Sequence, residues 1–285
     1  MATQTDIQTD IQTQNVCILV NSCSKYRYIL HPFFIMWKRW WKDCKLPMYL
    51  ACDGDLTEFK DTYGIHIIEQ EKDYGFVEGR IDALKKLDNY DFVIMLQDDF
   101  IIERYVDNDT IDKLMDIIVK SYENTLDNEH IACIRLMPCP GPEGELYKFG
   151  NGIELKEFEN QCWCKFSFQA AIWNRHYYIR FFEDLIDDVK TNIYKTHYKK
   201  TADKIVDDLN YWNKLWFKMN IAENEYGSRF TCRYPEKFLG IIRDGKQANA
   251  VYKSPIPYRP TAIVRSKLEP WARDLFKREN IDINH

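Results

Sequence analysis

Glycine and proline are scarce in this 285-residue chain, at 11 and 10 residues, and histidine is scarcer still at 6. No stretch rich in Gly, Pro or Ser separates one part from another, so the sequence reads as one integrated unit with a weak seam at 138–144. The histidines form no HxH or HExxH pattern and no Ser–His–acid order, which gives His176 and His197 local structural roles. No apolar run approaches the roughly 20 residues of a membrane span. The opening MATQTDIQTDIQTQ lacks the basic region and apolar stretch of a secretion signal. Its two TDIQ copies are too short and polar for a repeat domain, and a tail through about Gln14 is expected to stay outside the fold. Positive charge is not in excess: 39 Lys and Arg face 44 Asp and Glu, a formal net charge of −5. That excludes coating of nucleic acid while leaving room for a local basic cleft. The nine cysteines lack any CxxC spacing, and an odd number cannot all pair. Cys162 and Cys164 can share one side of a strand, but no second pair completes a zinc site. Reduced, mostly buried thiols in an intracellular protein are expected.

What the chain does have is apolar and aromatic mass. Apolar residues make up 45% and charged residues 29%, enough for a packed core in one large or two small domains. Sixteen Phe, 18 Tyr and 8 Trp serve that core first. Tyr and Trp also line ligand clefts, because each pairs a flat apolar face with one polar group.

Short apolar runs at 16–20, 48–52, 65–68, 92–96 and 131–136 predict strands. The run Phe92-Val93-Ile94-Met95-Leu96 is nearly continuous and fits a strand covered on both faces. Helices are expected at His31–Asp43, with Pro32 in the first turn, at Arg80–Leu87 and at Asp112–Leu126. Alternating strands and helices predict a layered α/β core over 15–140. The region 141–285 is expected to complete the same globular unit. It starts with short strands over 147–172, then an interrupted helical region from Asn174 to Met219. A strand follows near Gly240, and a last helix from Glu269 to Glu279 opens at Pro270.

Ligand sites in open α/β sheets lie beyond the carboxyl ends of the strands. Asp98 and Asp99 stand there, directly after the most buried strand, where hard carboxylate oxygens can hold Mg²⁺ or Mn²⁺ against a diphosphate. Neighbouring strand residues point to opposite faces, so the expected division puts Asp99 on the metal and Asp98 on ribose, water or the same ion. The alternative is an ordinary solvated acidic strand end. Asp53-Gly54-Asp55 is a literal DxD and the rival metal site, with a plain turn as its competing reading.

The ordered blocks VCILVNSCSKYRYILHPFFIMWKRWW, YLACDGD, YGFVEGRIDALKKLDNYDFVIMLQDDF and FSFQAAIWNRHYY resemble nucleotide-sugar-dependent glycosyltransferases of the GT-A type. The nearest pattern is that of bacterial surface-polysaccharide systems and large DNA viruses. The resemblance covers about Val16 to Lys246. It implies a GT-A-like core with a mostly parallel mixed sheet flanked by helices, joined to an acceptor-binding portion. It also implies transfer of a sugar from a nucleotide donor to a hydroxyl of a glycan or glycosylated carrier, with divalent-ion dependence as the default and a metal-free variant, its diphosphate held by Arg243 and Lys246, as the alternative. Asn21, Ser22 and Lys25 would approach the nucleotide, Asp53 the base or ribose, and Arg80 the diphosphate. The family's metal motif maps onto Asp98 and Asp99, here QDD rather than a strict DxD. Gln169 and Asn174 would orient sugar hydroxyls, with Trp173 as an apolar platform or, alternatively, a core residue. Glu225, with Glu223 second, would be the base for an inverting transfer, although Ala222 stands where an aromatic is expected. Arg243 and Lys246 would grip the diphosphate. The resemblance leaves self-association open, and implies a host-cytoplasmic, virus-factory or virion setting if the source is viral. Two other readings remain: nucleotidyl or phosphate transfer, weakened by the missing GxGxR-like opening and clustered lysine, and a non-catalytic carbohydrate-binding or virion protein.

Overall fold

The computed structural model describes residues 15–71, 77–123, 126, 129–138, 141–160, 162, 164–188, 191, 225–242, 253–259 and 261–283. The expected N-terminal tail, Glu223, Arg243 and Lys246 lie outside these residues, as does most of the interrupted helical region.

Nine strands make one sheet: β1 (Val16–Asn21), β2 (Met48–Asp53), β3 (His66–Gln70), β4 (Phe92–Gln97), β6 (Ile131–Arg135), β7 (Leu146–Lys148), β8 (Glu154–Glu157), β9 (Ala171–Asn174) and β10 (Lys237–Ile241). Their order across the sheet is β3-β2-β1-β4-β9-β6-β10-β8-β7. Seven run the same way, and only β8 and β9 run against them. The short strands β5 (Ile101–Ile102) and β11 (Tyr258–Arg259) pair with each other, as do β12 (Ile263–Val264) and β13 (Lys267–Leu268).

Because strand side chains alternate, a strand buried on both faces feeds two cores. On β1, Val16, Ile18 and Val20 join one apolar cluster while Cys17 and Leu19 join the other. On β4, Phe92, Ile94 and Leu96 divide in the same way from Val93 and Met95. The first face is covered by α1 (Arg27–Trp40), α2 (Thr57–Tyr63), α4 (Asn108–Ser121) and α7 (Pro270–Arg278). Against the second face lie α3 (Glu78–Lys85), α5 (Arg175–Asp188) and Phe230 of α6 (Glu225–Phe230). The result is the expected layered α/β architecture, here with helices on both faces of one sheet.

Several boundaries differ from the sequence expectation. Helix α1 starts at Arg27 after a 3₁₀ turn over Ser24–Tyr26, so Pro32 sits inside it rather than in its first turn. Pro32 cannot donate to the Tyr28 carbonyl one turn back; its ring is buried with Phe33 and Phe34. Helix α4 begins at Asn108, not Asp112, because Asp107 caps it, accepting from the Thr110 N–H at 3.0 Å and the Thr110 hydroxyl at 2.8 Å. Pro270 opens α7 as expected. Among the described residues no helix is long and apolar enough to cross a membrane.

Candidate active site

The ends of β1 and β4 are flush, Asn21 beside Gln97, while β2 passes Asn21 at Ala51 and runs on to Asp53. From β1 the chain builds outward through β2 and β3, then returns to place β4 on the other flank of β1. The direction of growth therefore reverses between β1 and β4, the position at which open α/β sheets take ligands, and a narrow crevice there is lined by Asn21, Arg80, Gln97, Phe168 and Gln169. Asp98 and Ser22 meet directly at that end, the Ser22 hydroxyl donating to Asp98 Oδ2 at 2.5 Å. The Asp98 N–H also donates to the Asn21 carbonyl at 3.3 Å.

Both acidic residues are withdrawn from solvent, Asp98 fully and Asp99 partly. Asp98 is 6% exposed; burial, then the charge of Asp99, pushes its carboxyl up to about 8 against the pull of Ser22 and Arg80. Burial pushes Asp99 up to about 6, opposed by hydrogen bonding from the Ile263 N–H and by Arg80. Asp99 Oδ1 is buried and has no hydrogen-bond partner among the described residues. An ordinary solvated strand end would show neither feature. Arg80 is 6% exposed, and its guanidinium lies 5.1 Å from the Phe168 ring centroid. This long helical side chain thus reaches the site from α3 instead of standing in solvent.

The rival DxD is consumed by local structure. Asp53 accepts from the Ser24 N–H at 2.7 Å and the Ser24 hydroxyl at 2.6 Å. Asp55 turns the other way and accepts from the Thr57 N–H and hydroxyl at the start of α2. Gly54, at φ +89°, permits that divergence. Lys25 is exposed, with its ammonium 5.5 Å from the Tyr26 ring centroid. Asn21 is half-buried, and its amide donates to the Leu96 carbonyl at 3.5 Å.

The far wall is the segment entering β9. Gln97 Nε2 donates to the Phe168 carbonyl at 3.1 Å. Gln169 Oε1 accepts from the Tyr258 hydroxyl at 2.8 Å, which in turn accepts from the Ala170 N–H at 3.0 Å. Asn174 is misplaced in the sequence reading. Strand β9 runs antiparallel to β4, so Ala171 sits opposite Met95 but Asn174 sits opposite Phe92, at the other end of the sheet. There its Oδ1 caps α5 by accepting from the Tyr177 N–H at 2.8 Å. Trp173, opposite Val93 and 2% exposed, packs among Phe166, Tyr178 and Phe238. It is the core residue of the two alternatives. Glu225 opens α6, and its side chain lies outside the described residues.

The sequence reading missed the C-terminal strap that packs against the acidic strand end and the 169–170 wall. The Ala262 N–H donates to the Asp99 carbonyl at 3.2 Å. The Arg259 guanidinium pairs with Glu103 at 2.9 and 3.3 Å. Tyr258 is fully buried, stacked on Phe100 at 4.5 Å between centroids. Tyr258→Phe is expected to cost about 1–3 kcal/mol in urea denaturation, because it leaves the Ala170 N–H without its acceptor; an unchanged midpoint would show that the hydroxyl does not fasten the strap.

A divalent cation fits the carboxylates by donor chemistry: two hard-oxygen side chains, one with an orphaned buried oxygen, stand at one strand end. No cluster of three or more His, Cys, Asp or Glu able to hold a metal occurs among the described residues. Asp98 and Asp99 would therefore be the protein's share of the coordination, with water and substrate oxygens the rest.

No protein-family model matches the chain, and no curated protein matches it. Among solved structures the fold is similar to a cytidylyltransferase from Leptospira borgpetersenii serovar Hardjo-bovis, at 11% identity over 94% of this chain and 95% of that one, TM-score 0.41. It is also similar to S. aureus TarS, at 13% identity over 60% of this chain and 29% of that one, TM-score 0.37. The glycosyltransferase GlyE of Streptococcus pneumoniae matches at 11% identity over 95% and 66%, TM-score 0.38. The chain thus spans less than a third of the TarS chain.

Proposed function

We propose that this protein transfers a sugar from a nucleotide-sugar donor to a hydroxyl of a glycan or glycosylated carrier. The observation that carries the reading is the pair of buried Asp98 and half-buried Asp99, the latter with an orphaned buried oxygen, at the strand-order reversal between β1 and β4. Two carboxyls whose proton affinity is raised by burial are waiting for a positive charge, and a diphosphate–cation complex brings one. Asn21 and Ser22 would line the nucleotide side of the crevice, with Lys25 at its rim. Asp53, held by Ser24, would accept from the ribose through its remaining lone pairs. Arg80 would face the diphosphate from below, and Gln169 would hold a sugar hydroxyl from the wall.

A divalent ion bound by Asp98 and Asp99 would neutralise charge on the departing diphosphate. The chain's own residues do the rest. Ser22 fixes the Asp98 carboxyl, Arg80 adds a fixed cation beneath the site, and the Tyr258–Gln169–Ala170 hydrogen bonds hold the wall. For an inverting displacement, Glu225 would take the acceptor hydroxyl proton as that oxygen attacks the anomeric carbon. Glu225→Gln is expected to leave donor binding unchanged and slow acceptor-dependent turnover about 100-fold or more; equal turnover rejects it as the base.

The test is a panel of UDP-, GDP- and dTDP-sugars, with and without Mn²⁺, followed by product analysis. A glycoside or free sugar together with nucleoside diphosphate supports the proposal. Pyrophosphate or a sugar phosphate would point to nucleotidyl or phosphate transfer instead. Glycan binding without nucleotide-sugar affinity would indicate a carbohydrate-binding protein.

A further inference from the structure

The loop joining β8 to β9 brings two thiols into contact, away from the carboxylates. Cys162 Sγ and Cys164 Sγ are 3.0 Å apart, about 1 Å beyond the ~2.05 Å of a disulfide bond. Cys164 is buried and Cys162 half-buried, so one sulfur is sheltered and the other can meet a reagent. Beneath them lies Arg135, 2% exposed, its guanidinium 3.8 Å from the Phe158 ring centroid. Arg135 Nη1 donates to the Cys164 carbonyl at 2.9 Å, and Cys133, Cys162 and Cys164 all lie within its electrostatic reach. With no metal-holding cluster among the described residues, the paired sulfurs call for a different chemistry from zinc binding.

We propose that Cys162 and Cys164 form a reversible dithiol–disulfide site whose oxidation shifts the segment 165–170 that walls the crevice. The oxidant is a low-molecular-weight or protein disulfide. The Cys162 thiolate attacks one sulfur of that disulfide, forming a mixed disulfide and releasing one thiol. Cys164 then attacks Cys162 Sγ and displaces the second thiol as the internal bond closes. The two cysteines lose two protons and two electrons, and the external disulfide gains them as two thiols. Burial, and next the hydrogen bond with Cys162, push Cys164 up to about 11 against the pull of Arg135. Because Cys162 is the sulfur a reagent can reach and Cys164 is buried, the first attack falls to Cys162 and the resolving step to Cys164.

The connection to the crevice is short. The Phe166 N–H donates to Ser228 Oγ at 3.3 Å, Gln97 holds the Phe168 carbonyl, and the Tyr258 hydroxyl holds Ala170. Whatever part of the roughly 1 Å closure between the two sulfurs is not absorbed by rotation of the two side chains would be passed to these anchors through the segment 165–170. None of this depends on the donor or the reaction.

The test uses the full chain incubated with glutathione disulfide and digested under non-reducing conditions. The expected product is an internal bond between Cys162 and Cys164, lighter by two hydrogens and reversed by dithiothreitol. In Cys164→Ser the same treatment is expected to leave a stable glutathione adduct on Cys162. Amide exchange over 165–171 is expected to differ about threefold or more between reduced and oxidised protein. A bridge from Cys162 to the exposed Cys232, a lasting glutathione adduct on the unsubstituted chain, or no reaction overturns the assignment. An internal bond with unchanged exchange overturns the coupling to the wall. Because the unsubstituted protein carries the main readout, the outcome does not rest on how the variant folds.

Discussion

Asp99→Asn is expected to lower sugar transfer about 100-fold or more, equivalent to at least about 2.7 kcal/mol of lost transition-state stabilisation. Asparagine keeps the shape of the side chain and removes its charge. The orphaned Oδ1 is the atom best placed to meet a cation, since it is buried and engaged by nothing in its described surroundings. The same substitution should leave the unfolding midpoint at pH 8 unchanged or higher, because a neutral amide does not suffer the desolvation that raises the Asp99 carboxyl. Full turnover in a folded variant would remove the carboxylate from the mechanism. Activity and stability moving in opposite directions is the signature of a group kept for chemistry at a cost to the fold.

The second large effect concerns pH. Folded protein keeps the Asp98 proton until about pH 8, whereas the unfolded chain releases it near the ordinary ~3.9. Between those values the folded state binds more protons, so stability must fall as pH rises from about 4 to about 8. Burial is the leading cause, and the Asp99 charge adds to it. Asp98→Asn is expected to remove this dependence and gain about 3–5 kcal/mol over the parent at pH 8, with little difference near pH 4. Urea denaturation of both proteins at three pH values measures it. Parallel pH profiles would mean that Asp98 is already ionised in the folded protein. A divalent ion with nucleoside diphosphate should narrow the gap at pH 8, since a bound cation favours the ionised carboxyl.

The parts of this fold that could be read from sequence are those whose signal is local. Strands β1, β2, β4 and β6 are nearly continuous apolar runs, as strands buried on both faces must be. The acidic pair was legible for the same reason, since it ends the clearest of them. Helix α2 escaped notice because only Phe59 and Tyr63 of its seven residues are buried, too few for a periodic pattern. The β12–β13 hairpin turns at Arg265 and Ser266, both at positive φ, where Asn or Gly would have announced a turn. Tyr258 lies in a proline-rich run, Ser254-Pro255-Ile256-Pro257-Tyr258-Arg259-Pro260, which reads as surface loop although the tyrosine is wholly inside. The misplaced Asn174 has another origin. The sequence suggests short strands up to 172 and a helix from Asn174 but not the strand's neighbours or direction, and direction alone decides which end of the sheet Asn174 occupies.

That reversed strand also governs how the protein can be assembled during synthesis. Strand β9 fills the slot between β4 and β6, although the chain makes it after both. On a translating ribosome the slot stays vacant until Asn174 has emerged, leaving the inner edges of β4 and β6 unpaired. A nascent chain stalled before that point would hold the four strands β3-β2-β1-β4 and a lone β6, whose other neighbour β10 is made later still, a natural client for chaperones.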